Sequence, residues 1–340
     1  MKKYRIGVDV GGTNVKLALV DLNGKIVYSN TTPTRADLGY EHSIANIQNA
    51  IEELMRETNT NKDNVEAIGF GFPGQIDYKE GIVRLLTNMP GWVEVPLAKI
   101  MEDKFKIQTR LDNDVRVATL GELKYGAGKG CDNLICITVG TGIGSGLVFN
   151  GKLIRGAKNA AGEIGHIKLN MFDGPICGCG DYACLEAYAS GPSIVAEAKE
   201  YLKGGKSSKF KELATEELSP YIVAQAALQG DAVAKRIYTK MGEIIGFGLS
   251  SVVNLLNPER IIIGGGVADA GEILLNPIRE TILKRAMPIQ AKSVEIVPAQ
   301  LGNTAGVIGA SPAPPSFILP SSTTYAASLP LSSLWNFVDL

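Results

Sequence analysis

The sequence predicts an α/β protein of two domains facing each other across a cleft. Three observations carry that expectation. The chain has 340 residues, against roughly 100–200 per domain. Strand-like runs alternate with helical segments along most of it. A weak internal repeat opens each half: Asp9-Val10-Gly11-Gly12-Thr13 lies over Thr138-Val139-Gly140-Thr141-Gly142. Downstream, Leu17–Val20 matches Gly146–Phe149, and Asn23-Gly24-Lys25 matches Asn150-Gly151-Lys152 after a two-residue gap. Each copy reads strand, glycine turn, strand, hairpin, strand.

The elements follow in order. Residues 4–9, 15–20 and 25–30 read as short strands, with Asn23-Gly24 as the hairpin signal. Residues 42–57 carry Ile44, Ile47, Ile51 and Leu54 at helical spacing. Residues 65–71 read as a buried strand, 96–104 as a short helix opened by proline, 107–111 as a strand running into Asp112-Asn113-Asp114, and 115–126 as a helix. The second half gives strands at 134–139, 145–150 and 151–154, then helices at about 191–203, 219–228 and 231–256. A strand at 260–263 ends in Gly264-Gly265-Gly266, and a helix at 271–286, a strand at 293–297 and a helix start at 303–310 capped by Asn303 or Thr304 complete the pattern.

Composition narrows the function. Hydrophobic residues make up 45 % and charged residues 20 %, an ordinary globular balance. Lys plus Arg total 34 against 35 Asp plus Glu, so the net charge of −1 gives no electrostatic reason for a nucleic-acid partner. No apolar run reaches the ~18–20 residues of a membrane span. The N-terminus enters Ile6-Gly7-Val8-Asp9-Val10 where a signal peptide would hold an apolar segment without Asp. The expectation is a cytoplasmic protein with no membrane partner. Five cysteines at short spacings in a reducing compartment suggest metal binding or reactivity before bridges.

Three glycine turns, at Gly11-Gly12-Thr13, Gly140-Thr141-Gly142 and Gly264-Gly265-Gly266, each follow a strand. Glycine lets backbone N–H groups approach a phosphate closely, so three such turns suggest a nucleotide in the cleft. Competing nucleotide motifs fail. Gly205-Lys206-Ser207 lacks the first glycine of a Walker A loop, and Gly69, Gly71 and Gly74 lack the helix that a dinucleotide fingerprint opens. Neither Gly-x-Ser-x-Gly nor His-Glu-x-x-His occurs. Asp9, before the first turn, would be repelled by phosphates unless a cation such as Mg²⁺ lay between them; the plain alternative is a turn-capping Asp. Asp114 suits a general base for a substrate hydroxyl and Asn113 a hydroxyl ligand, although such clusters also cap helices. His166 with Cys177, Cys179 and Cys184 puts one His and three Cys in 19 residues, which fits a structural Zn²⁺ site that would position Glu163 and Glu186. Cys131, Cys136 and Trp92 read as packing residues.

These residues together resemble the ROK family of bacterial sugar kinases, most of all its glucokinases. The resemblance spans about residues 4–310. It rests on Asp9-Val-Gly-Gly-Thr13, Gly71-Phe-Pro-Gly-Gln-Ile-Asp77, Asn113-Asp114, Gly140-Thr-Gly-Ile-Gly144, Ala161-Gly-Glu-Ile-Gly-His166 and the run Cys177-Gly-Cys-Gly with Cys184-Leu-Glu186. It implies an α/β fold of two actin/hexokinase-like (ribonuclease H-like) domains, at 1–116 and 117–310, closing on the substrate, with the last helix packing back on the first domain. Asp114 matches the catalytic base that takes the proton of a hexose 6-hydroxyl. Gly74, Asn88, Asn113, Asp114, Glu163, His166 and Glu186 match the sugar-binding positions. ATP and Mg²⁺ fall to Asp9, Gly11, Gly12, Thr13, Lys16, Thr138, Gly140, Thr141, Gly142, Gly265 and Gly266. His166, Cys177, Cys179 and Cys184 match the zinc ligands, with His166 serving sugar and metal from its two nitrogens. A homodimer or homotetramer is implied as well.

Three departures stand out. Val115-Arg116 replace the usual Ala-Asn after the base, which places Arg116 near the cleft rim. Ala183 stands where a Gly usually precedes the third zinc cysteine, a mild change unless that position needs a positive φ. Residues 311–340, with five Pro, seven Ser and Asp339 as the one charge, do not resemble the family; they read as a tail that is poorly ordered or loosely docked, with no part in catalysis. The alternatives are an N-acetylglucosamine or N-acetylmannosamine kinase of the same family and a sugar-sensing ROK transcriptional regulator. The regulator is disfavoured because the first phosphate motif begins at residue 9, which leaves no room for a helix-turn-helix domain ahead of it.

Overall fold

A computed structural model of the chain describes residues 3–86, 89–203, 208–213 and 217–311. Asn88 and the tail beyond Ser311 lie outside the described residues. In the first half, β1 (Tyr4–Val10), β2 (Asn14–Asp21) and β3 (Ile26–Pro33) form an antiparallel meander. The helix α1 (Tyr40–Glu57) leads to β4 (Val65–Phe72), and a small antiparallel sheet follows from β5 (Gln75–Asp77), β6 (Ile82–Leu85) and β7 (Val93–Val95). After α2 (Leu97–Phe105), β8 (Thr109–Asn113) runs straight into α3 (Asp114–Tyr125). The strand order is β3-β2-β1-β4-β8, with β4 and β8 parallel to β1.

The second half repeats that plan. Its meander is β9 (Leu134–Val139), β10 (Ile143–Phe149) and β11 (Lys152–Ile154). The helices α4 (Leu185–Ala189), α5 (Gly191–Lys203), α6 (Lys209–Leu213), α7 (Pro220–Leu228) and α8 (Ala232–Leu256) precede β12 (Arg260–Gly264). Then come α9 (Glu272–Arg285), α10 (Pro288–Ser293), β13 (Glu295–Pro298) and α11 (Ala305–Ala310). The order β11-β10-β9-β12-β13 matches the first sheet strand for strand, the structural form of the repeat read from the glycine turns. Among the described residues no helix is long and apolar enough to cross a membrane.

Each sheet buries one face against its own helices. Ile6, Val8 and Val10 of β1 pack with Ile44, Ile47, Ile51 and Leu54, the stripe that the helical spacing anticipates. Ile135, Ile137 and Val139 of β9 pack under the long α8 and its partner α9. Between the sheets lies α3. Its Val117 fits over Gly71 of β4, where a Cβ would overlap the valine methyl at 2.5 Å, and its Thr119 meets Gly146 of β10. The expected boundary after residue 116 therefore falls in the first turn of a helix that packs on both sheets. The last helix, α11, returns to the first half and lies against β1 and α3 backbone to backbone.

Several expectations shift. The strand expected at 107–111 lies at Thr109–Asn113, so Asp112 and Asn113 belong to it, and the one expected at 145–150 lies at Ile143–Phe149. The sheet β5–β7 and the short helices α4, α6 and α10 were not legible. Thr304 stands at the N-cap of α11 without a capping side-chain bond; its hydroxyl donates to Leu301 O at 2.7 Å. Trp92 is buried against Phe72 and Tyr40, and Cys136 is buried beside the half-buried Cys131, as packing residues.

The closest approach in α11 yields a test. A Cβ on Gly309 would run into the Val117 carbonyl oxygen, a backbone atom with no freedom to move aside. Gly309→Ala should therefore destabilise the protein by about 1–3 kcal/mol, the overpacking range. Thermal denaturation checks this, and an unchanged melting temperature would contradict the packing described.

Candidate active site

The first glycine turn is built by β1 and β2. Gly11 N–H donates to Asn14 O at 2.9 Å, and Thr34 clamps the turn by donating from its hydroxyl to Gly11 O (2.6 Å) and from its amide to Thr13 O (2.8 Å). Antiparallel pairing sets Asp9 directly opposite Lys16. Asp9 also meets α11, whose Gly306 has no side chain because the Asp9 carboxylate fills that space. The second turn closes through Gly140 N–H to Gly142 O at 2.9 Å, and Gly140 O accepts from Gly191 N–H, at the start of α5, at 2.7 Å. At the third, Gly265 has φ 85° and leaves room for the Val139 backbone. Parallel pairing of β12 with β9 brings Gly264 beside Thr138. One glycine in each turn, Gly12, Gly140 and Gly266, faces open space within 4 Å of where a Cβ would stand. That is the room an incoming phosphate needs.

Asn113 ends β8 and caps α3, accepting from Val115 N (3.1 Å) and Arg116 N (3.3 Å). Capping and a functional role are therefore not exclusive, since its amide nitrogen remains directed toward Phe72 O and Gly74 O at 3.5 Å. Asp114 is the first residue of α3. Burial pushes its carboxyl above the ordinary carboxylate range and the Glu163 charge adds to this, against opposing hydrogen bonds from nearby amides and Asn113. Asp9 is pushed up to about 6, first by burial and then by the Asp114 charge, while Lys16 pulls it down. The first glycine turn, the base candidate and the Glu163 loop thus share one electrostatic neighbourhood.

Glu163 precedes the short turn Ile164–His166, and Ser145 Oγ steadies it by donating to Gly162 O at 2.5 Å. Glu186 lies in the first turn of α4. Its Oε2 accepts from Ile143 N at 2.8 Å, just past the second glycine turn, and its Oε1 lies 3.6 Å from Cys177 Sγ. Glu186 therefore couples that turn to the cysteine cluster.

The donor atoms of His166, Cys177, Cys179 and Cys184 all lie within 4.8 Å of one another. His166 Nδ1 and Cys177 Sγ are 3.7 Å apart, as are the Cys179 and Cys184 sulfurs. A tetrahedral site with Zn–S near 2.3 Å has edges of about 3.8 Å, so this donor set fits zinc. Lys168, which the sequence did not single out, holds its ammonium 3.1 Å from Cys184 Sγ and 2.7 Å from Asp181. Ala183, fully buried, has φ 58°, so the usual glycine is replaced at a position that does require the left-handed region.

The chain is similar to known proteins over most of its length. The model of the ROK family matches residues 5–313. A glucokinase from Halalkalibacterium halodurans is 38 % identical over 312 residues, covering 90 % of this chain and 93 % of that protein. A xylose repressor from Caldicellulosiruptor bescii is 30 % identical over 305 residues, covering 89 % of this chain and 76 % of the repressor. The crystal structure of a Streptomyces griseus ROK glucokinase in complex with glucose and AMPPNP superposes with a TM-score of 0.77 at 34 % identity, covering 91 % of this chain and 98 % of that one.

The Asp9 environment predicts a pH dependence. Its carboxyl holds a proton up to about pH 6 in the folded chain but ionises near 3.8 in the ordinary state. Between those values the folded protein binds more protons than the unfolded one, so stability falls as pH rises through that window. Asp9→Asn should give a shallower fall in melting temperature between pH 4 and 6. An identical slope in the variant would place Asp9 in water rather than in a desolvated cleft.

Proposed function

The chain belongs to the ROK family, and from that premise we propose that it is an ATP-dependent hexokinase acting on the 6-hydroxyl of glucose. The observation that carries the reading is Asp114, a desolvated carboxylate at a strand–helix junction beside Asn113, in a neighbourhood that also holds Asp9 and Glu163. Similarity to glucokinases over about nine-tenths of the chain supports glucose as the substrate. The regulator reading has weaker support, since the repressor match is lower in identity and covers a smaller share of that protein.

In this mechanism Asn113, Glu163, His166, Glu186, the Gly74 backbone and Asn88 hold the sugar hydroxyls, because each buried polar group left unpaired costs about 1–3 kcal/mol. Asp114 accepts the proton of the 6-hydroxyl as that oxygen attacks the γ-phosphorus of ATP. The new O–P bond forms as the bond from phosphorus to the β,γ-bridging oxygen breaks, and ADP departs with that electron pair. A carboxyl raised above its ordinary range holds the transferred proton better than an exposed one would. The residues Gly11, Gly12, Thr13, Thr138, Gly140, Thr141, Gly142, Gly265 and Gly266, together with Lys16, cradle the nucleotide. Positioning and charge stabilisation are most of what phosphoryl transfer requires. Asp9 would hold Mg²⁺, which when bound offsets the charge of the phosphates.

His166, Cys177, Cys179 and Cys184 would hold a structural Zn²⁺, whose contribution is to fix the loop between Glu163 and Glu186. The division into domains 1–116 and 117–310, the cytoplasmic location and a homodimeric or homotetrameric state belong to the same proposal, on the strength of the resemblance.

A coupled assay over glucose, mannose, N-acetylglucosamine and N-acetylmannosamine tests the assignment. Glucose should give the highest kcat/KM, and Asp114→Ala should lower kcat by about 10²–10⁴ while sugar affinity largely persists. A higher kcat/KM for an N-acetylated hexosamine would move the substrate, and near-wild-type turnover of the variant would remove Asp114 from the mechanism. Metal analysis should find one zinc per chain, and Cys179→Ser should lose it along with sugar affinity. Protein purified without chelator and found free of zinc would refute the metal assignment.

A further inference from the structure

We propose that Arg155 and Arg116, joined through Asp112, tie the two halves of the chain across the sugar end of the cleft and set the spacing between Asp114 and Glu163. The inference rests on the kinase reading above and names positioning residues that act through the loop and strand they hold. Asp112, on β8, is nearly buried. Its Oδ2 accepts two bonds from Arg155, from Nε at 2.9 Å and from Nη2 at 2.6 Å. Its Oδ1 lies 3.7 Å from Arg116 Nη1. Arg116 is 4 % exposed and donates from Nη2 to Ala161 O at 3.0 Å.

Both ends of one loop are therefore gripped from the other half of the molecule. Arg155 follows β11, and Ala161 lies six residues further on; Ala161 N–H donates to Arg155 O at 3.0 Å, which closes the loop on itself. Asp112 and Arg116 belong to the first half, on β8 and α3. Arg155 reaches a second part of that half as well, since its guanidinium lies 4.1 Å from the ring centre of Tyr78. Tyr78 follows Asp77, which Arg84 holds at 2.7 Å, so the platform is itself braced.

The placement gives the tie its function. Ala161 is two residues before Glu163, and Asp112 is two residues before Asp114. A displacement of either anchor passes along a short stretch of backbone to a group that handles the sugar. Exposed ion pairs contribute little. This one differs because the Arg116 and Asp112 side chains are only 5 % and 7 % exposed, where water screens them weakly.

The experiment compares wild type with Arg155→Ala, Asp112→Asn, Arg155→Lys and the double variant Arg155→Ala/Asp112→Asn. Sub-ångström to ångström misplacement of reacting groups lowers kcat/KM by roughly 10–100-fold. Each of the first two variants should show that loss both in kcat, through Asp114, and as a raised glucose KM, through Glu163, with the ATP KM unchanged. The double variant should fall well short of the product of the two single losses, because both remove the Arg155–Asp112 link. Arg155→Lys, which keeps the charge, should recover part of the loss. Hydrogen exchange, read without any substrate, should rise at residues 155–163 in Asp112→Asn, a change made in the other half of the molecule. Unchanged exchange there overturns the tie, as do single-variant losses that multiply in the double variant or wild-type kcat/KM for glucose in both singles. A wild-type protein that phosphorylates no hexose would fail the kinase reading instead, and the exchange measurement would still decide the tie.

Discussion

Two carboxylates share one desolvated cleft, and the rest of the site is arranged around that fact. Asp9 ends the first strand and Asp114 opens the helix after β8, and the charge of Asp114 is felt at Asp9. Burial alone disfavours ionisation of either group, and their mutual repulsion adds to it at Asp9. Lys16, opposite Asp9 in the strand ladder, offsets part of that cost. On the kinase reading, Mg²⁺ with the nucleotide supplies the remaining positive charge at Asp9. The same desolvation leaves Asp114 suited to accept a proton, so one physical condition serves both roles.

Such a cleft needs backbone held close to backbone, and the glycines supply this. Helix α3 lies between the sheets with Val117 over Gly71, and α11 closes on α3 through Gly309 and on Asp9 through Gly306. Asp114 thus sits at the head of a helix gripped from both halves, while Asp9 is walled by a helix from the far end of the described chain. Glu186 extends the same framework, bonded to the amide after the second glycine turn and set against the cysteine cluster. A metal fixed there would act on the sugar side by holding a loop rather than by touching the reaction.

Much of this was legible in the sequence because the signals were local. Glycine turns at strand ends, the Asn-Gly hairpins and the apolar stripe of α1 each declare themselves within a few residues, and the twofold plan follows from repeating them. The small sheet β5–β7 was missed because its strands of three or four residues are too short to show a period. The shift of β8 has a similar cause: Asp112 and Asn113 look like loop residues until Asp112 finds Arg155, 43 residues away. That pairing could not be read from spacing, nor could the burial of Arg116, which the sequence placed only at the cleft rim. The positive φ of Ala183 is likewise set by how the cysteine loop folds back, which no local residue pattern declares.

On the kinase reading, a cation is needed to reconcile Asp9 with bound phosphate. Titrating ATP into the protein with and without Mg²⁺, for wild type and for Asp9→Asn, tests it directly. The account predicts that wild type binds ATP at least about tenfold more tightly with Mg²⁺, a difference of about 1.4 kcal/mol, and that the gap narrows in the variant as metal-free ATP loses its repulsion. Equal affinity with and without Mg²⁺ in wild type, or an unchanged gap in Asp9→Asn, would contradict it.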